Sequence, residues 1–149
     1  MMMGKETDPE GSDGIIARFN RCECARLLGM EVTETWPGGA RVRMEATGKR
    51  NSNGVIHGGA IFSLADHAFG LAANNGETRQ VAVSASISYL SPAKGTLEAV
   101  AELVDETADR SVFVVRVFDG KRLVATFEGI GIKEKTKNNS NYHRSKNYS

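Results

Sequence analysis

The stretch from Asn51 to Asn75 constrains the fold more than any other part of the chain, because a glycine-bearing loop leads there into an apolar, alanine-rich segment holding a single acid. Ala60, Ile61, Leu64, Ala65, Ala68, Leu71 and Ala72 recur at three- and four-residue steps, the spacing of one helix face. The small residues among them, the alanines, suit close packing against strands. His57, Gly58 and Gly59 mark the start of the helix, and Asn74, Asn75 and Gly76 supply its stop. At about 1.5 Å per residue, positions 57–74 span roughly 27 Å, about the width of a small domain. The segment therefore reads as a buried central helix. Asp66 sits two to three turns into it, flanked at helical spacing by Phe62, Phe69 and Gly70. An unpaired buried carboxylate is expensive, so Asp66 either faces a polar cleft or a partner, or it lies on the helix's exposed edge.

The rest of the chain reads largely as strands. Residues 15–28 place apolar groups at helical steps with Arg18, Arg21 and Arg26 between them, giving one or two short helices that end at Gly29. Met30–Trp36 and Ala40–Ala46 alternate apolar and polar residues about Pro37-Gly38-Gly39, a hairpin by period and turn chemistry. Trp36 packs at a strand end or closes over a ligand. Beyond the central helix, Gln80–Leu90 puts Val81, Val83, Ala85, Ile87 and Tyr89 on one face and Ala82, Ser84, Ser86 and Ser88 on the other. Pro92 and Gly95 break it, and Thr96–Val104, Ser111–Phe118 and Arg122–Ile132 complete a four-stranded meander, with Asp119-Gly120 as a tight turn. Periodicity alone supports α+β with an antiparallel sheet.

One domain accommodates 149 residues, and 16 glycines against 3 prolines suit a sheet with tight turns. The formal net charge of +1 gives no strong field for nucleic acid or an anionic membrane. The ends differ from the body. Residues 1–14 set Lys5 against Glu6, Asp8, Glu10 and Asp13, and residues 133–149 set Lys133, Lys135, Lys137, Arg144 and Lys146 against Glu134. Both ends are polar and aperiodic, so the expected organisation is a mobile segment at 1–14, a single domain at 15–132 and a disordered basic tail at 133–149. Cys22 and Cys24 are too close for a disulfide framework and, with only His57, His67 and His143 elsewhere, complete no metal site. No signal peptide and no apolar run long enough to span a membrane is present, so a cytoplasmic protein is expected.

Asn51, Gly54, the His57-Gly58-Gly59 triplet and the Leu64-Ala65-Asp66 step nine residues after the histidine resemble the signature of hotdog-fold acyl-CoA thioesterases, specifically the phenylacetate-pathway (PaaI-like) branch. Ile87–Ala93, with Ser91-Pro92, resembles the end of the strand that follows the central helix in that family, and the likeness covers approximately residues 25–132. The resemblance implies a curved antiparallel β-sheet wrapped around one long central α-helix. It also implies a homodimer with a continuous sheet, doubled to a homotetramer, and an unpaired sheet edge independently invites a second copy.

The implied chemistry is hydrolysis of small aryl- or short-to-medium-chain acyl-CoA thioesters, with no cofactor beyond the CoA of the substrate and no metal. The Gly58 amide, with Gly59 beside it, would polarise the thioester oxygen at the helix start. Asp66 would activate a water or attack directly. In related enzymes the loop glycine and the helix acid meet across the dimer, so Gly58 and Asn51 of one copy would face Asp66 of the other. Asn51 holds the water or acyl oxygen, or is a turn residue; His57 orients the loop or contacts substrate. Val83, Ser84, Ser91 and Pro92 are implied contacts for the CoA and acyl arms, and Lys49, Arg50, Lys94, Lys121 and Arg122 are cations available to the CoA phosphates. Phe62, Phe69 and Tyr89 line the acyl pocket or belong to the core. Some relatives carry a hydroxyl residue on the strand after the helix, where this chain has Ala82. A hotdog enoyl-CoA hydratase needs an acid five residues before the histidine, where Ser52 stands; a non-catalytic acyl-CoA binding module would gain little from Asp66.

Overall fold

A computed structural model describes residues 12–135. The expected mobile segment, up to residue 11, and the tail from 136 lie outside the described residues. Two short helices come first, α1 (Ser12–Asn20) and α2 (Glu23–Leu28), so helix begins slightly ahead of the expected domain start at 15. Gly29 closes α2 in the left-handed conformation at φ 66°, where a glycine stop is favoured. The strands β1 (Met30–Trp36) and β2 (Gly39–Met44) form the expected hairpin. The central helix α3 runs Gly58–Asn74, and β3 (Gln80–Tyr89), β4 (Leu97–Glu106), β5 (Arg110–Asp119) and β6 (Arg122–Lys133) follow.

All six strands make one antiparallel sheet in the order β1-β2-β4-β5-β6-β3. The last four strands are therefore not one meander. Strands β4, β5 and β6 are, but β4 pairs with β2 on its other side, so β3 crosses to the far edge and pairs with β6. The break at Pro92 and Gly95 makes a long connection between β3 and β4 where a two-residue hairpin turn would have kept them neighbours.

The sheet curls around α3, which buries Ile61, Leu64, Ala65, Ala68, Phe69, Leu71 and Ala72 against it. Phe69 anchors the packing, with ring centroids 5.6 Å from Phe113 on β5 and 5.8 Å from Phe127 on β6. Its ring lies directly over Gly129, where a Cβ would fall 2.8 Å from three ring carbons. At the C-terminal end of α3, Asn75 rather than a glycine makes the stop. Its Nδ2 donates to Thr35 Oγ1 and the Trp36 carbonyl, both at 2.7 Å, and to the Gly39 carbonyl at 3.0 Å, which ties the helix end to the β1–β2 turn. The Trp36 indole packs over Gly39 at the strand end.

Strand β3 departs from the alternation expected of it. Its register with β6 slips between Ala82 and Ser84, leaving Val83 as an extra residue in a β-bulge. Ala82, Ala85, Ile87 and Tyr89 oppose the buried Gly131, Gly129, Phe127 and Ala125, so they share the helix-facing side, whereas Ser84, Ser86 and Ser88 oppose Ile130, Glu128 and Thr126 on the outer side. Ala82 and Ser84 thus lie on opposite faces, because the inserted residue inverts the period-two pattern. Beyond Gln80 and Ile87, β3 is exposed along its length, with Val81 54%, Val83 58% and Tyr89 52% exposed. No helix among the described residues is long and apolar enough to cross a membrane.

Candidate active site at the start of the central helix

The loop that delivers the chain to α3 is held by its own backbone. The Asn51 amide donates to Val55 O (2.7 Å) and Gly54 N to Asn51 O (3.0 Å). Asn51 Oδ1 accepts from Asn53 N (2.9 Å) and Val55 N (3.3 Å). The Asn51 carboxamide oxygen is therefore committed to the turn, and Nδ2 is the group it can offer to a substrate oxygen or a water. Ile56 N donates to Ala93 O at 2.8 Å and His57 N to Lys49 O at 2.7 Å, which sets the 49–57 loop against the segment following β3.

His57 is the N-cap of α3. Its Nδ1 accepts from Gly59 N at 2.9 Å, and its carbonyl accepts from Ala60 N and Ile61 N. A cap of this kind consumes one of the orphan amides of a helix start. It separates the two glycines: the Gly59 amide is occupied, while the Gly58 amide bonds no acceptor among the described residues. On the other side of the next peptide, the Tyr89 hydroxyl donates to the Gly58 carbonyl at 2.9 Å. A Cβ on Gly58 would stand 3.2 Å from the Tyr89 ring, so the absent side chain admits this close approach. Both peptides around Gly58 are pinned, and one N–H is left pointing out of the network. The sequence marks Tyr89 only as a lining or core aromatic; no spacing in it announces where a strand-end hydroxyl lands.

Asp66 is exposed on the side of α3 that the sheet leaves open, with no ion pair or hydrogen bond among the described residues. Although its side chain reaches the surface of the single chain, enough protein surrounds the carboxyl that desolvation raises its pKa above the usual 3.8. Gly58 and Asp66 are eight residues apart on one helix, about 12 Å along its axis. His67, next to it, turns beneath α1. Its ring centroid is 5.3 Å from that of Phe19, its Nε2 is buried without a partner among the described residues, and burial lowers its pKa against a smaller opposing effect of a backbone hydrogen bond at Phe19.

The remaining candidates divide. Half-buried Ser91 and exposed Pro92 lie with Gly58 at the helix start, where Ser91 N and Leu90 N share the Val124 carbonyl. Val83 and Ser84 are six and five residues back along β3 from Tyr89, roughly 20 and 16 Å away. Gly59 is exposed beside the cap. Cys22 and Cys24 are free and exposed, and no group of three or more His, Cys, Asp or Glu among the described residues is placed to hold a metal.

Residues 53–126 match the Thioesterase superfamily. The acyl-coenzyme A thioesterase PaaI of Escherichia coli (strain K12) is 32% identical over 117 residues, covering 76% of this chain and 84% of that protein. The solved structure of the E. coli PaaI protein from the phenylacetic acid degradation operon superposes with a TM-score of 0.79 at 28% identity, over 86% of this chain and 96% of the other. A variant of the phenylacetic acid degradation protein PaaI from Thermus thermophilus gives 0.70 at 32% identity, over 74% and 98%.

Proposed function

This chain belongs to the thioesterase superfamily, in its PaaI-like hotdog branch of acyl-CoA thioester hydrolases, and from that premise we propose that it cleaves small aryl- or short-to-medium-chain acyl-CoA esters at a site shared by two copies. The observation that carries the reading is the separation of the two reactive groups. A free amide that stabilises an oxyanion and a carboxylate that activates a water must both reach one carbonyl within hydrogen-bond range. Gly58 and Asp66 of one helix, about 12 Å apart, do not. A second copy supplies the missing half: Gly58 N–H of one chain holds the thioester oxygen, Asn51 Nδ2 steadies the acyl oxygen or the water, and Asp66 of the other chain takes the proton of that water or attacks the carbonyl itself.

The β3 edge supports this pairing, since it carries unpaired backbone groups and exposes Val81, Val83, Tyr89 and Leu90. Such an edge is a template for a second strand. The enzyme so assembled is a cytoplasmic homodimer or homotetramer that uses no metal and no cofactor beyond the CoA of its substrate.

The test is thiol release from a panel of aryl- and acyl-CoA esters by the wild type and by Asp66→Ala, with the oligomeric state measured for both. The expected result is a loss of two or more orders of magnitude with assembly intact. Full turnover by the variant, or saturable CoA-ester binding by the wild type without thiol release, would sink the catalytic reading in favour of a binding module.

A further inference from the structure

The open side of α3 changes character along its length. On the helix surface the neighbours of Asp66 are Phe62 and Ser63 a turn back and Gly70 a turn on. Toward the helix start this side is polar: Ser63 Oγ donates to the Gly59 carbonyl at 2.8 Å, next to the His57 cap, while Phe62 turns inward with its ring centroid 5.4 Å from that of Phe127. Toward the helix end it is apolar. Gly70 adds no side chain, and the Phe19 ring of α1 lies against the bare helix, its Cε2 3.8 Å from where a Cβ on Gly70 would stand. The same ring is tilted 56° to that of His67, with centroids 5.3 Å apart, and burial favours the neutral form of that imidazole.

Helix α1 is fixed on both sides of this ring. Ile15, one turn before Phe19, is buried in the core at 1% exposure. Asn20, the residue after it, accepts the Val32 amide on Oδ1 at 2.8 Å, beside the bulge that interrupts β1. Strand β1 is an edge of the sheet, so this bond ties the end of α1 to the frame that curls around α3. Phe19 itself is half-buried, and the Arg18 guanidinium stands 5.3 Å from its ring centroid. A half-exposed aromatic on a helix held at both ends acts as a wall rather than a lid.

We infer that Phe19 is a specificity-determining residue, the wall that sets the length of acyl group accepted beside Asp66. The inference rests on the acyl-CoA reading above. With the thioester carbonyl at Asp66, an apolar acyl group gains burial only where apolar surface is in reach. On the open side of α3 this chain offers that surface at Gly70 and the Phe19 ring. Asp66 and Gly70 are one turn apart, about 6 Å. An acyl group that extends further than this past the carbonyl meets the ring, and the anchored helix does not withdraw it. Gly58 and Asp66 both lie within residues 53–126, the span that matches the superfamily, whereas α1 precedes it. A change at Phe19 therefore alters the choice of acyl group without touching the reactive groups.

The experiment measures kcat/KM over a straight-chain series from acetyl- to decanoyl-CoA in the wild type, Phe19→Ala and Phe19→Trp. The quantity read is the ratio of octanoyl- to butyryl-CoA, in which any general loss cancels, with circular dichroism and oligomeric state reporting on folding. Phe19→Ala should raise this ratio by roughly ten- to 200-fold, and Phe19→Trp should lower it and move the cut-off to shorter chains. Leu27→Ala, at a position 83% exposed on α2, is the control and should keep the wild-type ratio. A merely structural contact lowers activity across the series and does not shift the ratio in opposite directions with side-chain size. A ratio that fails to move in opposite directions in the two variants overturns the assignment. Should Phe19→Ala not fold, Phe19→Leu replaces it, because it stays apolar and removes less volume. If the wild type releases no thiol from any ester, the hydrolase reading fails separately, and the Kd of S-alkyl-CoA thioethers over the same chain lengths decides the wall. The length at which affinity stops rising must then increase in Phe19→Ala and decrease in Phe19→Trp; any other pattern, or no binding, overturns it.

Discussion

Gly129→Ala tests whether the contact between α3 and β6 is as tight as the geometry states. The new Cβ would lie 2.8 Å from Cδ1, Cδ2 and Cε1 of Phe69, whereas carbon atoms pack comfortably at about 3.5–4.0 Å. Relief therefore needs a shift of about 0.7 Å or more. The ring has nowhere to go, because Phe69 is 2% exposed and wedged against Phe113 and Phe127. Either α3 lifts from the sheet or β6 bends outward, and overpacking of this kind costs about 1–3 kcal/mol. With a urea slope of about 1–3 kcal/mol/M, the unfolding midpoint should fall by roughly 1 M, measured at fixed protein concentration so that any self-association contributes equally. Combining it with Phe69→Leu, which vacates the space, should cost less than the sum of the two single changes, with a coupling of about 0.5–3 kcal/mol. A Gly129→Ala protein within about 0.5 kcal/mol of wild type, or strict additivity with Phe69→Leu, would refute the contact and with it the account of how the sheet holds the helix that carries Asp66.

Two further outcomes follow from the site. Tyr89→Phe removes the hydroxyl bond to the Gly58 carbonyl; it should cost at most about 0.5–1.5 kcal/mol of stability and lower kcat severalfold with little change in KM, and an unchanged kcat would show that the bond does not position the Gly58 amide. Burial holds the pKa of His67 below 6.5, so the unfolded chain takes up its proton first as the pH falls. The stability that neutral His67 provides is full above pH 6.5 and declines below it, and this decline, read by thermal melts across that range, should be reduced in His67→Phe.

The legible part of the structure is the part written in local pattern. The three- and four-residue steps of residues 60–72 place α3, and His57-Gly58 and Gly29 mark helix ends at the positions where they occur. What escapes is set by partners distant in sequence. Strand order depends on β4 choosing β2 as a neighbour, which no local signal encodes, and so the sequence pattern puts β3 in a meander it does not join. Alternation holds from Ser84 to Tyr89 but misassigns Val81 and Ala82, because one extra residue, Val83, reverses the faces before the bulge. Asn75 ends α3 through three acceptors in the β1–β2 hairpin some 36 to 40 residues away, and the Tyr89 hydroxyl meets a carbonyl 31 residues upstream. Within the candidate site, the sequence offers both glycines as donors, and the His57 ring separates them by occupying one amide.

Asp66 carries two consequences of opposite sign. Desolvation raises its pKa above 3.8, so the folded chain disfavours the ionised carboxylate that general-base or nucleophilic catalysis requires. A raised folded-state pKa gives stability that is present below the unfolded value and lost as the pH climbs through the folded one. At neutral pH the wild type has lost that contribution, and Asp66→Asn, which has no charge to desolvate, should be at least as stable as wild type. The difference should close as the pH falls below about 3.8. Activity runs the other way: the asparagine variant should lose about 10²–10⁴-fold in kcat/KM, and the acid limb of the wild-type profile should lie above the usual aspartate range. Urea midpoints and thiol release measured on the same two proteins across pH read both signs together. An Asp66→Asn protein that is inactive and also less stable at pH 7 would mean that the carboxylate is held by a partner group as a structural anchor, and the raised pKa would no longer describe it.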